Sequence, residues 1–234
     1  MKIAFAFLAT LLVLVSAASA APTCSPTATL DTYLVANFSC SIDNLLFSNF
    51  GYSPSAIPVG VTIPANGITV TALSIPGDEG FQFSSGWAVR TQSDGSSSFQ
   101  DSLITFTVST VDHSASLTDL SLSFNGDFTG SGSTSVNEHY CPGGPLSGCP
   151  GGSGVRQVTN PPPAFDDHVV FTSPVSTLGI SKDINVTSGT NGTARISQVL
   201  NNFSNGSVPE PGTCMLLGGG LLGLGLMRKR SKRS

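Results

Sequence analysis

The chain has 234 residues and carries 10 Lys and Arg against 14 Asp and Glu, a formal net charge of −4. Between residues 21 and 207 the balance is more acidic, because four basic and thirteen acidic side chains leave a net charge of −9. An acidic surface lacks the basic footprint of a nucleic-acid-binding protein, so nucleic acid is excluded as a partner. Lys and Glu are scarce while Ser, Thr, Gly, Asn and Val abound, which favours strands and turns over helices.

The first twenty residues have the three parts of a secretory signal peptide. Lys2 supplies positive charge, and the apolar run from Ile3 to Val15 is shorter than the ~20 residues that span a bilayer. The small residues Ala18 and Ala20 fit the site read by a signal peptidase, which we therefore expect to cleave between Ala20 and Ala21. The alternative is an uncleaved N-terminal helix that anchors the chain. Either reading predicts export.

The following segments predict a series of short strands. Leu30 to Ala36 is compatible with one helical turn or a strand, and Cys40 to Tyr52 is predicted as a single strand. Val59–Ile63 and Ile68–Leu73 flank Pro64-Ala65-Asn66-Gly67, a sequence that predicts a hairpin with Asn-Gly at its turn.

Alternating apolar residues mark the middle of the chain. Gly80 to Arg90 places Phe81, Phe83 and Trp87 at even spacing, so one face of a strand can hold all three. Leu103 to Val111 and Leu117 to Phe128 alternate clearly, which predicts strands with one buried face each.

The later segments are less regular. Gly130 to Asn137 has weak strand character, and Cys141 to Pro163 is rich in Gly and Pro and predicts a loop. Further strands are predicted at three places: Phe165–Phe171, Val175–Val186 and Ala194–Phe203. Short strands with frequent turn signals predict an all-β domain, an antiparallel β-sandwich over residues 21–200, followed by a polar spacer at 201–207.

Four cysteines lie in the predicted sandwich, and four cysteines allow three pairings. We expect Cys24–Cys40 and Cys141–Cys149, because each pair is close in sequence and an exported protein meets an oxidising compartment. A metal site is the weaker alternative, since no Cys-x-x-Cys occurs and no His has ligand spacing.

Candidate residues for catalysis or ligand binding are few. His113, His139 and His168 are scattered, with Glu138-His139, in the loop beside Cys141, the best of them, and neither a G-x-S-x-G nor an H-E-x-x-H motif occurs. Asp78-Glu79 and Asp166-Asp167 lack the repeated spacing of a calcium loop and are interpreted as soluble loops. Phe81, Phe83 and Trp87 suit a sugar-stacking platform but are interpreted as core. We therefore expect no enzyme activity, no cofactor and no metal.

Residues 208–234 have three parts in a fixed order. Pro209, Glu210 and Pro211 come first, and a 14-residue apolar stretch from Cys214 to Met227 follows. As a helix this stretch is only ~21 Å long, and its proline and basic flanks, rather than its length, predict a short transmembrane helix. A basic cluster then stops transfer across the membrane and stays on its cytoplasmic side: Arg228, Lys229, Arg230, Lys232 and Arg233.

The run VPEPGTCMLLGGGLLGLGLMRKRSKR resembles the PEP-CTERM sorting signal, which is also known as the ice-binding protein C-terminal domain. The resemblance implies an exported substrate of an exosortase, a membrane-embedded processing enzyme, with Pro209, Glu210 and Pro211 as the recognition motif. It implies a transient stay in the inner membrane, then the cell surface or extracellular matrix, with exopolysaccharide as a candidate partner. The alternatives left open are a surface carbohydrate-binding module and a secreted hydrolase.

Overall fold

The computed structural model describes residues 21–58, 61–111, 115–146, 149 and 152–207. Within these ranges the chain forms one helical turn, α1 (Leu30–Tyr33), a 3-10 turn (Ala65–Gly67) and twelve strands. The strands are β1 (Thr27–Thr29), β2 (Ser39–Ile42), β3 (Leu45–Ile57), β4 (Thr69–Ile75), β5 (Asp78–Arg90), β6 (Phe99–Thr110), β7 (Ala115–Gly130), β8 (Ser133–Pro142), β9 (Gly154–Asn160), β10 (Asp166–Val175), β11 (Thr177–Thr187) and β12 (Gly192–Ser207).

The strands pair into two antiparallel six-stranded sheets. Sheet A has the order β2-β3-β6-β11-β8-β9, and sheet B has the order β1-β4-β5-β12-β7-β10. Strands β11 and β12, adjacent in sequence, therefore lie in the middle of opposite sheets. The predicted all-β class and its two antiparallel sheets are confirmed, whereas the predicted signal helix and C-terminal helix lie outside the described residues.

The core lies between the sheets and is built by period-two alternation. Ile104, Phe106 and Val108 of β6 are buried, and the apolar positions of β7 between Leu120 and Phe124 are buried as well. Both strands thus bury the face that their sequences predict, since successive side chains of a strand point to opposite faces. A cluster of aromatic rings fills the space between the sheets, with the closest pair of ring centroids 4.6 Å apart.

The predicted hairpin around Asn66-Gly67 is wrong. Residues 61–64 form no strand, and β4 pairs instead with β5 and β1. Ala65–Gly67 does form a turn, with the Gly67 amide donating to the Pro64 carbonyl at 2.8 Å. Pro64 lacks the amide hydrogen that a strand ladder needs, which helps to explain why residues 61–64 do not pair.

Two other segments differ from prediction. Cys40 to Tyr52 is not one strand, because the chain turns between β2 and β3, where Asp43 has a positive φ of 47°. The predicted loop from Cys141 to Pro163 contains β9, which pairs with β8. The weak strand character of residues 130–137 is confirmed, because β8 begins at Ser133 and its place between β11 and β9 supplies hydrogen bonds that local propensity does not reveal.

The predicted polar spacer at residues 201–207 is wrong as well. These residues continue β12, which pairs with β7 as far as Ser207 opposite Ala115. Asn201 and Phe203 are fully buried. The segment has polar side chains because alternate positions face outward, and its inward positions belong to the core.

Candidate functional site: a buried lysine, glutamate and asparagine

Three polar side chains meet in the core between the two sheets. Lys182 on β11 lies directly opposite Glu138 on β8, and both point inward from sheet A. Asn201 points inward from β12, in the middle of sheet B. All three are fully buried, although charged residues are almost never buried without a partner.

The Glu138 carboxylate holds the other two groups. Lys182 Nζ donates to Oε2 of Glu138 in a buried ion pair. Asn201 Nδ2 donates to Oε1 of the same carboxylate at 3.0 Å and to the Ser121 carbonyl at 3.2 Å. No donor among the described residues reaches Asn201 Oδ1, which is also buried.

Burial controls the protonation of this cluster. Removal from water raises the pKa of Glu138, against the opposing effect of the nearby Lys182 ammonium. The same burial lowers the pKa of Lys182, although Glu138 favours its charged form. Both shifts move the pair toward a neutral carboxylic acid beside a neutral amine.

The three side chains of this cluster are not predicted as a unit by the sequence. Glu138 and His139 are predicted in a loop, but both belong to β8, with Glu138 in the core and His139 exposed on the other face. A signal was present: Lys182 stands at even spacing from Ile180 and Ile184, a pattern that puts a lysine on a buried strand face.

A pair of acidic side chains lies on the outer face of sheet A, apart from the buried cluster. Asp101 on β6 and Asp183 on β11 form a side-chain hydrogen bond, and their Oδ1 atoms lack a donor among the described residues when both carboxyls are ionised. Burial, the hydrogen bond with Asp183 and repulsion by its charge raise the pKa of Asp101 from 3.8 to about 7. A protonated Asp101 can donate a hydrogen bond to the carboxylate of Asp183.

We expect the free energy of unfolding to fall as the pH rises from about 4 to about 7. Across that window folded Asp101 keeps a proton that the unfolded chain, with a pKa of 3.8, has already released. Asp101→Asn should remove the contribution of Asp101 to this decline. Urea unfolding of the variant and of the wild type, repeated at each pH, would give the difference between their free energies of unfolding. Asp94→Asn, at an exposed turn, is the control that should keep it. Equal slopes for Asp101→Asn and wild type would contradict the assignment.

The aromatic candidates are core residues. Phe81, Phe83 and Trp87 are fully buried, and Trp87 Nε1 donates to Ser102 Oγ at 3.0 Å. The interpretation of these three rings as core is confirmed, and they form no exposed sugar-stacking platform.

The other acidic candidates bind parts of the chain itself. Glu79 is buried, accepts the Gly77 amide at 2.9 Å and accepts Asn205 Nδ2 at 2.5 Å. Asp167 accepts the Gln157 amide at 2.9 Å and joins β10 to β9. The prediction of soluble loops at these two residues is therefore wrong, because both lie in strands and accept hydrogen bonds from other parts of the chain. Asp78 and Asp166, their sequence neighbours, also lie in strands.

The histidines remain apart. His168 lies on β10 opposite Ser121, His139 lies on β8, and His113 lies outside the described residues. Among the residues that the structure describes, no three His, Cys, Asp or Glu side chains group closely enough to hold a metal ion.

Both expected cysteine pairs are disulfide-bonded in the structure. Cys24–Cys40 fastens the start of the sandwich to β2, beside a bridge between Thr23 and Ser41. Cys141–Cys149 ties the end of β8 to the following loop, with a sequence separation of 8.

The processing residues lie largely outside the described part of the chain. Ala21 is the first described residue, so Ala20 lies outside, as do Pro209, Glu210, Pro211 and the basic cluster: Arg228, Lys229, Arg230, Lys232 and Arg233. In the ranges that are described, no helix has both the length and the apolar character to span a bilayer.

Comparison with known proteins identifies the tail. The described residues form an all-β sandwich, and a family model described as the PEP-CTERM protein-sorting motif matches residues 207–230. The protein therefore carries a PEP-CTERM sorting motif, as the resemblance predicted. This motif implies export, transient membrane anchoring and processing by an exosortase.

Two further comparisons concern the whole chain. No curated protein matches the chain. Among solved structures, the enzymatically active domain of tailspike protein 4 of bacteriophage CBA120 aligns with 14% identity and a TM-score of 0.28. The alignment covers 69% of this chain and 20% of the tailspike chain.

Proposed function

We propose that this protein is a non-catalytic component of the cell surface or extracellular matrix, delivered there by its sorting motif. The observation that carries the proposal is the PEP-CTERM match, which begins at Ser207, the last residue of β12. The sorting motif follows directly after a central strand of the sandwich. The sandwich is therefore the part of the protein that remains after the exosortase has processed the tail.

The construction of the sandwich supports a durable extracellular role. Two disulfides close segments at the start of β2 and the end of β8, and such links typically stabilise a domain by ~2–4 kcal/mol each. Exopolysaccharide is the partner that a surface or matrix location would bring, and it belongs to this proposal.

The alternative functions require features of a different kind. A carbohydrate-binding module needs an exposed platform, and Phe81, Phe83 and Trp87 are instead buried. A hydrolase for glycosides needs two carboxyls flanking a bound sugar. Asp101 and Asp183 are hydrogen-bonded to each other on the outer face of sheet A, whereas glycosidases hold their two carboxyl groups about 5–10 Å apart.

Deleting Pro209–Pro211 tests the proposal. The expected result is full-length precursor retained in the inner membrane, because the exosortase no longer recognises the tail. Cell fractionation with an antibody against the sandwich would measure the shift. Gly212→Ala, next to the motif, is the control that should be sorted normally. Unchanged surface display and tail removal after the deletion would overturn the proposal.

A further inference from the structure

The buried cluster brings together an amine, a carboxamide and a carboxyl group, the three groups needed to make an amide bond without a cofactor. We propose that Lys182 and Asn201 join in an intramolecular isopeptide bond, with Glu138 transferring the proton. The bond would be a self-made covalent link between sheet A and sheet B.

The positions of the atoms favour this reaction. Lys182 Nζ and Asn201 Nδ2 bind the two oxygens of one Glu138 carboxylate, so the amine and the amide flank the same group. Lys182 and Asn201 are held in position by the backbones of β11 and β12, because each of these is a central strand that pairs with a neighbour on both sides. Holding two reactants in place in this way raises their effective concentration by many orders of magnitude.

The protonation of the cluster is also suitable. An amine attacks a carbonyl only in its neutral form. Burial lowers the pKa of Lys182 and therefore favours the neutral amine. Burial raises the pKa of Glu138, which makes its carboxyl a proton acceptor for the amine and then a donor to the leaving group. The full burial of all three side chains excludes the water that would compete for the amide.

The reaction balances without an oxidant or reductant. The Lys182 ammonium gives one proton to the Glu138 carboxylate, and the resulting amine forms a bond from Nζ to Cγ of Asn201. The bond from Cγ to Nδ2 breaks, and Glu138 relays a proton from Nζ to Nδ2, which departs as ammonia. The products are a secondary amide, one ammonia and a protonated Glu138.

The unpartnered oxygen of Asn201 is consistent with this role. A buried acceptor without a donor is unfavourable, because its hydrogen bonds to water are lost and not replaced, so a purely structural asparagine is poorly accommodated here. A half-turn of the side-chain amide would bring Oδ1 to the Glu138 carboxyl. A protonated Glu138 would then donate to Oδ1 and make Cγ more electrophilic.

Peptide mapping of the full-length exported protein tests the bond directly. Trypsin cuts after Lys and Arg, but it cannot cut after a Lys182 whose side chain is acylated. We expect one branched peptide in which residues 157–195 are joined to the peptide beginning at Ile196. Its mass should be about 17 Da below the sum of its two arms, since one ammonia is lost. Fragmentation should place the link between Lys182 and Asn201.

Two variants separate the chemistry from the fold. Glu138→Gln keeps the size of the side chain but cannot relay the proton, so its peptides should be separate and cut after Lys182. Asn202→Ala changes the next residue, whose side chain binds Asp78 at 3.2 Å on the other face of β12, and it should remain linked.

Complete cleavage after Lys182 in the wild-type protein, with no branched peptide, would overturn the proposal. A link from Lys182 to Glu138, recognised by loss of water (about 18 Da), would also overturn it. Persistent linkage in Glu138→Gln would remove the role assigned to Glu138. The wild-type map decides the proposal even if a variant fails to fold, and its result does not depend on how the tail is sorted.

Discussion

The variant Lys182→Met is expected to have a free energy of unfolding about 3–5 kcal/mol lower than that of the double variant Lys182→Met with Glu138→Met. The substitution leaves Glu138 in the core without its ion-pair partner, and the burial of an unpaired charged group is the main cost. Urea unfolding of the exported protein, followed by intrinsic fluorescence, would measure the change.

The double variant Lys182→Met with Glu138→Met separates pairing from packing. Both charges are then absent, so the double variant has no unpaired carboxyl in its core, and apolar residues of similar volume often replace a buried ion pair at little cost. The isopeptide bond is absent from both variants and therefore cancels in their comparison. Equal stabilities of the single and double variants would contradict the explanation.

An exposed ion pair in the same domain provides a matched control. Arg195 Nη2 lies 2.9 Å from Asp127 Oδ2, with the two side chains 73% and 60% exposed. Arg195→Met should change stability by no more than about 1 kcal/mol, since exposed pairs contribute little. Comparison of this small change with the difference between the single and double Met variants shows how burial changes the contribution of a charged group.

Trp87→Ala should also destabilise the domain by about 3–5 kcal/mol. Trp87 is fully buried, so its truncation leaves a cavity between the sheets and removes the hydrogen bond to Ser102. Denaturant midpoints would measure the loss, followed by far-UV circular dichroism because the only tryptophan is removed.

The matched control for this variant is Val170→Ala, at a strand position that is 65% exposed. It should lie within about 0.5 kcal/mol of the wild type, because surface substitutions rarely change stability further. A small loss for Trp87→Ala, similar to that of Val170→Ala, would contradict the assignment of Trp87 to the core.

Local patterns in the sequence were sufficient for several features. The alternation in β6 and β7 predicted their buried faces, and the even spacing of Phe81, Phe83 and Trp87 placed these rings in the core. The order of Pro-Glu-Pro, apolar and basic segments predicted the sorting motif that the family model matches. Each of these signals lies within one segment and needs no knowledge of its partners.

Strand pairing, in contrast, was decided by the tertiary structure. The Asn66-Gly67 sequence predicts a turn but does not indicate which strands pair on either side of it. In the structure β4 pairs with β5 and β1. The polar composition of residues 201–207 indicated a spacer, yet their place between β5 and β7 makes them part of a central strand.

The buried cluster shows why tertiary contacts were needed most at the candidate site. Lys182 and Glu138 are 44 residues apart, and Glu138 and Asn201 are 63 apart. The spacing of Lys182 between two isoleucines is enough to predict an inward-facing lysine. Only the register of β11 with β8, and the packing of one sheet on the other, place a carboxyl and an amide beside it. A charge in the core is tolerated when such a partner is present, and no local pattern can indicate a partner that distant strands supply.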